Sequence, residues 1–526
     1  MAPAVAFLSS RTHLFAISTA TFHSTVSLGI IHSWYSRPFS LIRALDPSLF
    51  TLSLNMKMSR RVGFSLRSSV KRFSPPWFLQ LQRLSPGRIV VLGGASAIVI
   101  GTLLLLLPWA TPPSKPLSII DAVFTATSAV CVTGLIVADT ATDFTVFGHT
   151  IVLILIQIGG LGYATLVTLL LLTMGRQLGL RDRMMMAEAL STLNLQGLIP
   201  FVKTIVMWTL ILELLGAMVL SVRFLQDYPL GQAIYHGTFQ AISAFNNAGF
   251  SSFSTNLLAY RADLTVNLIV ALLIILGGLG FFVLIDVSQF FRGERYRLQT
   301  HSKLVLVVTG LLLVGGTIGV LLLEWNNPKT LGNLPVGEKI LAGAFHSVSA
   351  RTAGFNTIDL SQLGNASLYL IVIFMFIGGS PGGTAGGIKT TTFGIIGMFV
   401  WTTLRRRGDV EFFWRRVPTI VIHRALTLAI LAMFLLTLFT HLLSMFEPHP
   451  FLSLMFEVAS ALGTTGYSVG NGDVLSLSAS LTTFGKLVII FCMFIGRFGP
   501  LLVGLGSFQE KERKLYRFPE SKISIC

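Results

Sequence analysis

The chain has 526 residues, of which 52% are hydrophobic and only 12% are charged. Its mean hydropathy of +0.74 excludes a water-soluble domain, because no core of ordinary size would bury so many apolar side chains. The formal net charge is +17, but no aromatic-interleaved or groove-reading motif accompanies the cations, which argues against nucleic-acid binding. We therefore predict an integral membrane protein whose surroundings are the lipid bilayer.

Residues 1–55 are rich in Ser and Thr, nearly free of acids and unlike the rest of the chain. Two explanations fit this N-terminal extension. The first is a targeting leader, and the second is an upstream over-extension of the reading frame. Met56 stands shortly before the basic run 59–61, which favours the second explanation. We interpret residues 56–87 as a basic cytoplasmic arm that fixes the topology and contacts anionic lipid.

Long and short apolar runs then alternate. Eight runs are long enough to cross the ~30 Å hydrocarbon core as helices, namely 89–109, 147–174, 202–222, 264–285, 303–323, 367–401, 419–445 and 482–506. Four runs are too short to cross it, and for these we predict re-entrant half-helices, at 117–130, 232–246, 338–350 and 451–463.

This alternation predicts an all-α integral membrane protein of four tandem helix–pore loop–helix repeats. Eight transmembrane helices and four re-entrant half-helices would surround a pseudo-four-fold pore. The predicted repeats span 88–175, 202–292, 303–404 and 419–508, and residues 509–526 form a cytoplasmic tail.

A tripeptide of small residues ending in glycine follows each short run. The four are Val132-Thr133-Gly134, Asn247-Ala248-Gly249, Thr352-Ala353-Gly354 and Thr464-Thr465-Gly466, with glycines 115, 105 and 112 residues apart. Non-helical backbone survives at membrane depth only where it lines a wet cavity. Glycine tolerates the positive φ that aims a carbonyl at an axis, and a ring of carbonyls replaces the water shell of a bare cation. We predict a filter for a monovalent cation, made of backbone carbonyls.

A second glycine-rich motif, which we call the glycine marker, follows each tripeptide within the next long run. It is Gly159-Gly160-Leu161-Gly162 in the first repeat, Gly277-Gly278-Leu279-Gly280 in the second and Gly496-Arg497-Phe498-Gly499 in the fourth, and in the third it expands over residues 378–387. Six glycines and a proline there make a continuous helix costly, at ~1 kcal/mol for each glycine and ~3 kcal/mol for proline. We predict that the span breaks and that the polar loop 378–390 lies below the filter as a gate. The alternative is a passive hinge that lets helices pack closely. The gate residues are Gly378, Gly379, Gly382, Gly383, Thr384, Ala385, Gly386, Gly387 and Lys389, and Lys389 either repels ions or holds the loop by pairing.

Arg497 has the place in the fourth repeat that Gly160 and Gly278 have in the first two. A guanidinium in mid-span must face the protein interior, because exposure to hydrocarbon costs at least a few kcal/mol. Near a cation path it is an electrostatic barrier and a further gate residue. The alternative is a salt bridge or a set of carbonyl contacts that pins the helix.

Lysine and arginine set the orientation of the chain. They cluster after the second, fourth and sixth predicted spans, as at Arg181, Arg295 and Arg406, so these loops face the cytoplasm. Both termini are then cytoplasmic, and the tripeptides open outward.

Three segments, 125–135, 243–250 and 382–390, resemble the Trk/Ktr/HKT superfamily of potassium transporters, and most closely the membrane-spanning subunits of bacterial Ktr systems. The resemblance covers about residues 85–508. It implies that the tripeptides are a potassium selectivity filter, that 378–390 is an intramembrane gating loop, and that Arg497 belongs to the constriction below the filter. It further implies a multi-pass protein of the bacterial inner (plasma) membrane.

All four filter positions hold glycine, whereas sodium-preferring relatives replace the first, so the resemblance implies potassium uptake through a gated pore. A sodium-permeable pore or a secondary cation symporter of the same superfamily is the alternative. The resemblance also implies a homodimer, a cytoplasmic ring of nucleotide-binding regulatory subunits and Na⁺ as an activator. We expect K⁺ as the transported ion, no cofactor bound by this chain and no enzyme activity.

Overall fold

The computed structural model describes residues 86–162, 165, 198–295, 297–406, 408–470 and 475–506. These residues are mostly helical, with one two-stranded antiparallel ribbon, in agreement with the predicted all-α membrane class. The predictions for the N-terminal extension, nearly all of the basic arm, the inner loop with Arg181 and the tail fall outside the described residues.

Fourteen α-helices run through the described residues. They are α1 (Pro86–Leu105), α2 (Ile119–Cys131), α3 (Val146–Leu161), α4 (Leu198–Phe224), α5 (Leu230–Phe245), α6 (Leu264–Leu279), α7 (Phe281–Phe291), α8 (Thr300–Glu324), α9 (Val336–Ser349), α10 (Asn365–Phe376), α11 (Thr390–Leu404), α12 (Thr419–Phe446), α13 (Phe451–Gly463) and α14 (Thr483–Gly506). The ribbon of β1 (Glu411–Phe412) and β2 (Arg415–Arg416) joins α11 to α12.

The four predicted half-helices are present as α2, α5, α9 and α13, each within two residues of its expected bounds. Pro229, Pro335 and Pro450 stand directly before the last three, where φ values of −58°, −63° and −57° prepare the chain for the first helical turn. Each half-helix packs on long helices of its own segment: α2 on α1 and α3, α5 on α4 and α6, α9 on α8, and α13 on α12 and α14.

Among the described residues, α4, α8 and α12 are long and apolar enough to cross a bilayer alone, and the bent pair α6–α7 makes a fourth. Leu214, Leu311 and Ile430 on the three long helices are 71%, 69% and 69% exposed, which gives each helix a lipid-facing surface. The other predicted spans are shorter apolar helices or include residues that the structure does not describe, so the count of eight transmembrane helices stays a prediction.

The unbroken span predicted over 264–285 is wrong. α6 and α7 meet at Gly280, where φ is +89° and the axis bends by 102°. The cause is a tertiary contact, because the amide of Phe281 donates to the carbonyl of Gly382 at 3.1 Å instead of continuing the helix. Glycine permits this conformation, which a side chain would resist.

The break predicted in the third repeat is confirmed, since α10 ends at Phe376 and α11 begins at Thr390. The run predicted over 147–174 also differs from expectation. Its described helix ends at Leu161, and Gly162 follows with a φ of +76°. In three of the long apolar runs, a described helix therefore ends within two residues of a glycine with positive φ or of the glycine-rich loop.

Candidate ion pathway

The four glycine tripeptides meet in a closed ring. A methyl group on each glycine would come within 2.8 Å or less of the carbonyl oxygen of the middle residue in the next tripeptide: Gly134 against Ala248, Gly249 against Ala353, Gly354 against Thr465 and Gly466 against Thr133. The order around the ring follows the sequence and returns to the first tripeptide. The four segments that the sequence places on one axis thus lie together.

The tripeptide backbone repeats one uncommon conformation. In each, the first residue and the glycine have positive φ, for example 56° and 89° at Val132 and Gly134, or 50° and 90° at Thr464 and Gly466. The middle carbonyl oxygen of each tripeptide faces the glycine of the neighbouring tripeptide. Among the described residues, no backbone amide outside the helices donates to a tripeptide carbonyl. These oxygens are therefore available to a cation.

The tripeptide amides are bonded back to the ends of the half-helices. Four buried serines accept, through their main-chain carbonyls, from the middle amide of each tripeptide at 2.8 to 2.9 Å: Ser128, Ser243, Ser349 and Ser460. The hydroxyls of Ser128 and Ser460 also accept from the amides of Gly134 and Gly466, at 3.1 and 3.0 Å. The other two hydroxyls donate at 2.6 Å to the carbonyl of the residue after the glycine.

Sequence reasoning missed these four serines, although a signal was present. Each is followed by alanine and stands five or six residues before its filter glycine. The serines hold the middle amides, and these bonds restrain the peptide planes of the ring. Restraint of this kind is preorganisation, which lowers the cost of binding.

A cavity of about 280 Å³ opens above the ring and is lined by all four glycines together with Asp139 and Asp359. Asp139 accepts from the hydroxyl of Ser254 at 2.6 Å. Behind it, Asp143 is partly buried, which opposes ionisation, but bonds from Lys115 and from the amide of Asp139 prevail and lower its pKa. Lys115 balances the charge of Asp143, so the negative charge that attracts cations to the mouth comes from the carboxylates of Asp139 and Asp359.

The predicted gate loop is an ordered hairpin docked on the bend of the second repeat. Within the loop, the amide of Gly378 donates to the carbonyl of Ile388 at 2.9 Å. Across to α6, the amide of Ser380 donates to Gly278 at 2.9 Å and that of Thr384 to Gly277 at 3.1 Å. The carbonyls left unpaired by the helix break are thus satisfied by the loop, as buried backbone requires.

Thr384 connects the loop to the filter. The side-chain amide of Asn247, a residue of the predicted filter, donates to the Thr384 hydroxyl at 2.7 Å, and that hydroxyl donates to the carbonyl of Phe245 at 3.2 Å. On the other arm of the loop, the ammonium of Lys389 donates to the carbonyl of Ala385 at 2.8 Å. Of the two roles expected for Lys389, the structure displays the loop contact.

Arg497 faces the protein interior, as expected of a charge in mid-span. Its guanidinium donates to the carbonyls of Thr384 in the loop and of Gly159 in α3. The alternative interpretation, in which carbonyl contacts pin the helix, expects such contacts. The role of Arg497 as an electrostatic barrier stays a prediction.

The glycines that precede Arg497, Gly160 and Gly278 pack alike, which supports the assignment of these three residues to equivalent positions of their repeats. Gly159, Gly277 and Gly496 each lie against the carbonyl of the residue four positions before a filter glycine, namely Val130, Phe245 and Leu462. The residues after these glycines, Gly160, Gly278 and Arg497, are therefore equivalent.

Comparisons with known proteins agree with this architecture. The family model TrkH, described as a cation transport protein, matches residues 89–506. The Ktr system potassium uptake protein B of Bacillus subtilis is 41% identical over 84% of this chain and 97% of its own length, and that of Vibrio alginolyticus is 39% identical over 83% and 94%. The potassium/sodium uptake protein NtpJ of Enterococcus hirae is 36% identical over 84% and 98%.

Among solved structures, the potassium transporter TrkH from Vibrio parahaemolyticus superposes with a TM-score of 0.61 at 18% identity, covering 81% of this chain and 86% of that one. At this identity the likeness concerns the fold alone. The sequence relatives carry the assignment further, since this chain matches 94–98% of their own length. The chain is a multi-pass membrane transporter, not an enzyme, and it belongs to the TrkH family of cation transport proteins.

Proposed function

We propose that this protein takes up potassium across the bacterial inner membrane through a gated, channel-like pore. The observation that carries the proposal is the closed ring of four tripeptides, whose carbonyl oxygens receive no bond from a non-helical backbone amide in the part of the chain that the structure describes. Twelve such oxygens substitute for the hydration shell of an alkali ion. The names of the Bacillus and Vibrio relatives support K⁺ as that ion.

We propose the four tripeptides as the selectivity filter and the loop 378–390, with Lys389 and Arg497, as the gate. Support for the gate comes from contact, because Thr384 touches both Asn247 of the filter and Arg497. A loop in these positions blocks the path below the ring, and the path opens when it withdraws. The four predicted repeats give the frame, with their half-helices ending at the filter.

The partners follow from the relatives' names, since a Ktr system has further components. We propose a homodimer that docks on a cytoplasmic ring of nucleotide-binding regulatory subunits, with both termini cytoplasmic and Na⁺ as an activator. A sodium-permeable pore is the second candidate, which the potassium/sodium uptake relative favours. Rubidium uptake measured with competing Na⁺ separates the two ion preferences.

The proposal is tested by potassium-limited growth and rubidium uptake in cells that lack their own uptake systems. Gly249→Asp places a side chain where even a methyl group would lie 2.8 Å from the carbonyl of Ala353, so uptake is expected to fall to background. Gly231→Asp is the matched control, because Gly231 is exposed at the start of the same half-helix with no atom near its missing Cβ. If Gly249→Asp reaches the membrane and still transports, the ring is not the ion path.

A further inference from the structure

An apolar cavity of about 290 Å³ lies beside the gate loop, apart from the ion path through the ring. Gly387, Ile388 and Lys389 of the loop form one wall, and α12, α13 and α14 supply the others. Among the described residues that line it, Lys389 alone carries a charge. A mostly apolar pocket with one convergent polar group is the usual form of a small-molecule site.

The cavity borders a lipid-facing helix. Leu428, Leu431 and Ala432 of α12 line it, while Ile430 and Phe434 on the same helix are 69% and 57% exposed. A molecule dissolved in the hydrocarbon therefore meets α12 first and reaches the loop by passing along this helix.

We propose that the cavity binds a long-chain fatty acid, with its carboxylate on Lys389 and its chain against α12. Burial of the acyl chain contributes little binding free energy, because the lipid tails that it leaves are as apolar as the cavity wall. Recognition therefore rests on charge complementarity. An ammonium has three donors, of which the carbonyl of Ala385 takes one among the described residues. A carboxylate takes another, and a charged hydrogen bond in an apolar site is stronger than in water.

Occupation of the cavity holds the gate closed, an effect that rests on the gate role proposed above. Protein interiors are close-packed, so a loop withdraws only into free volume. The space beside Gly387 and Ile388 is such a volume. An acyl chain that fills the cavity leaves the loop no room to move, so transport falls.

Binding and transport are measured on the purified full chain in lipid vesicles, with oleate as the probe and methyl oleate as its uncharged analogue. A photoreactive oleate is expected to label the peptides around Leu431 and Ile495, in competition with oleate. Oleate is expected to inhibit rubidium uptake, and methyl oleate to act about tenfold or more weakly, since it lacks the charged hydrogen bond.

Ala432→Phe fills the cavity, whereas Met433→Phe adds a ring on the adjacent exposed position outside it. We expect Ala432→Phe to lose labelling and oleate inhibition and Met433→Phe to keep both. Equal effects of the two probes on all three proteins, or labelling elsewhere, overturn the inference as a bulk membrane effect. A changed oligomeric state in Ala432→Phe overturns it in favour of a second copy covering the cavity. If the wild type carries no rubidium even without oleate, the proposed function itself fails.

Discussion

Thr384→Val separates a gate from a hinge. The substitution keeps the side chain's shape and removes a buried hydroxyl that accepts from Asn247 at 2.7 Å and donates to the carbonyl of Phe245 at 3.2 Å. Both bonds join the loop to the filter region. If the loop must withdraw for ions to pass, these bonds stabilise only the closed state.

Two neutral hydrogen bonds contribute about 1–2 kcal/mol net. Their loss shifts the ratio of open to closed protein about 5- to 30-fold toward open. Rubidium uptake by the full chain in vesicles, without a regulatory subunit, is therefore expected to rise in Thr384→Val. The increase is smaller if the wild type is already substantially open.

Thr402→Val is the control, because Thr402 lies in α11 beyond the loop and, within the described ranges, its hydroxyl bonds only to the carbonyl of Phe399 one turn earlier. It is expected to transport like the wild type. If Thr384→Val melts at a lower temperature with unchanged uptake, the loop is a passive hinge. Lower uptake by a stable protein also refutes the reasoning, since the bonds then serve the conducting state.

Three further substitutions and one pair probe the rest of the pathway. Gly134→Ser is expected to relax discrimination against Na⁺, measured by competition with rubidium, because φ is +89° there. Ser128→Ala leaves the buried Gly134 amide without its hydroxyl partner and is expected to cost about 1–3 kcal/mol of stability, read from thermal melting and from lost selectivity. Asp143→Asn is expected to make the free energy of unfolding depend less on pH under acidic conditions. The pKa of Asp143 is lower in the folded than in the unfolded protein, so its bond to Lys115 stabilises the fold above the unfolded pKa and is lost as pH falls through the folded pKa. Arg497→Gln is expected to raise uptake and Arg497→Lys to stay near wild type if charge is the barrier, whereas equal effects of both indicate a pin.

The half-helices and the ring were predictable from the sequence because each rests on local signals repeated four times. A short apolar run, a proline before it and a small tripeptide after it recur at nearly constant spacing. The break in the third repeat was predictable for a related reason, since its cost comes from residues that no neighbour can turn into helix formers. The register of Arg497 followed from counting along the repeats.

The bend at Gly280 was not predictable in this way. The run contains three glycines, Gly277, Gly278 and Gly280, which cost about 3 kcal/mol of helix propensity in total, yet the first two are helical. Composition therefore does not show whether or where this helix breaks. The bond that decides it comes from Gly382, about a hundred residues away. The serines behind the filter were missed because a single serine before a loop has many uses, and only their four-fold recurrence before alanine marks them.

Selection and gating place opposite demands on a repeated fold. The ring needs four equivalent strands, and the packing of each glycine on the next tripeptide supplies that equivalence. A gate needs one element that moves relative to the others, and the asymmetric features lie at one level: the bend at Gly280, the loop bonded to it and Arg497 on Thr384. The loop donates backbone hydrogen bonds to α6, and it touches the predicted filter at Thr384, which bonds to Asn247, and at Gly386, which packs on Thr464. Its withdrawal breaks contacts to two tripeptides and leaves the packing of the four tripeptides on one another in place. The described residues thus keep the four-fold symmetry in the ring that we propose binds the ion, and lose it in the loop and bend that we propose form the gate.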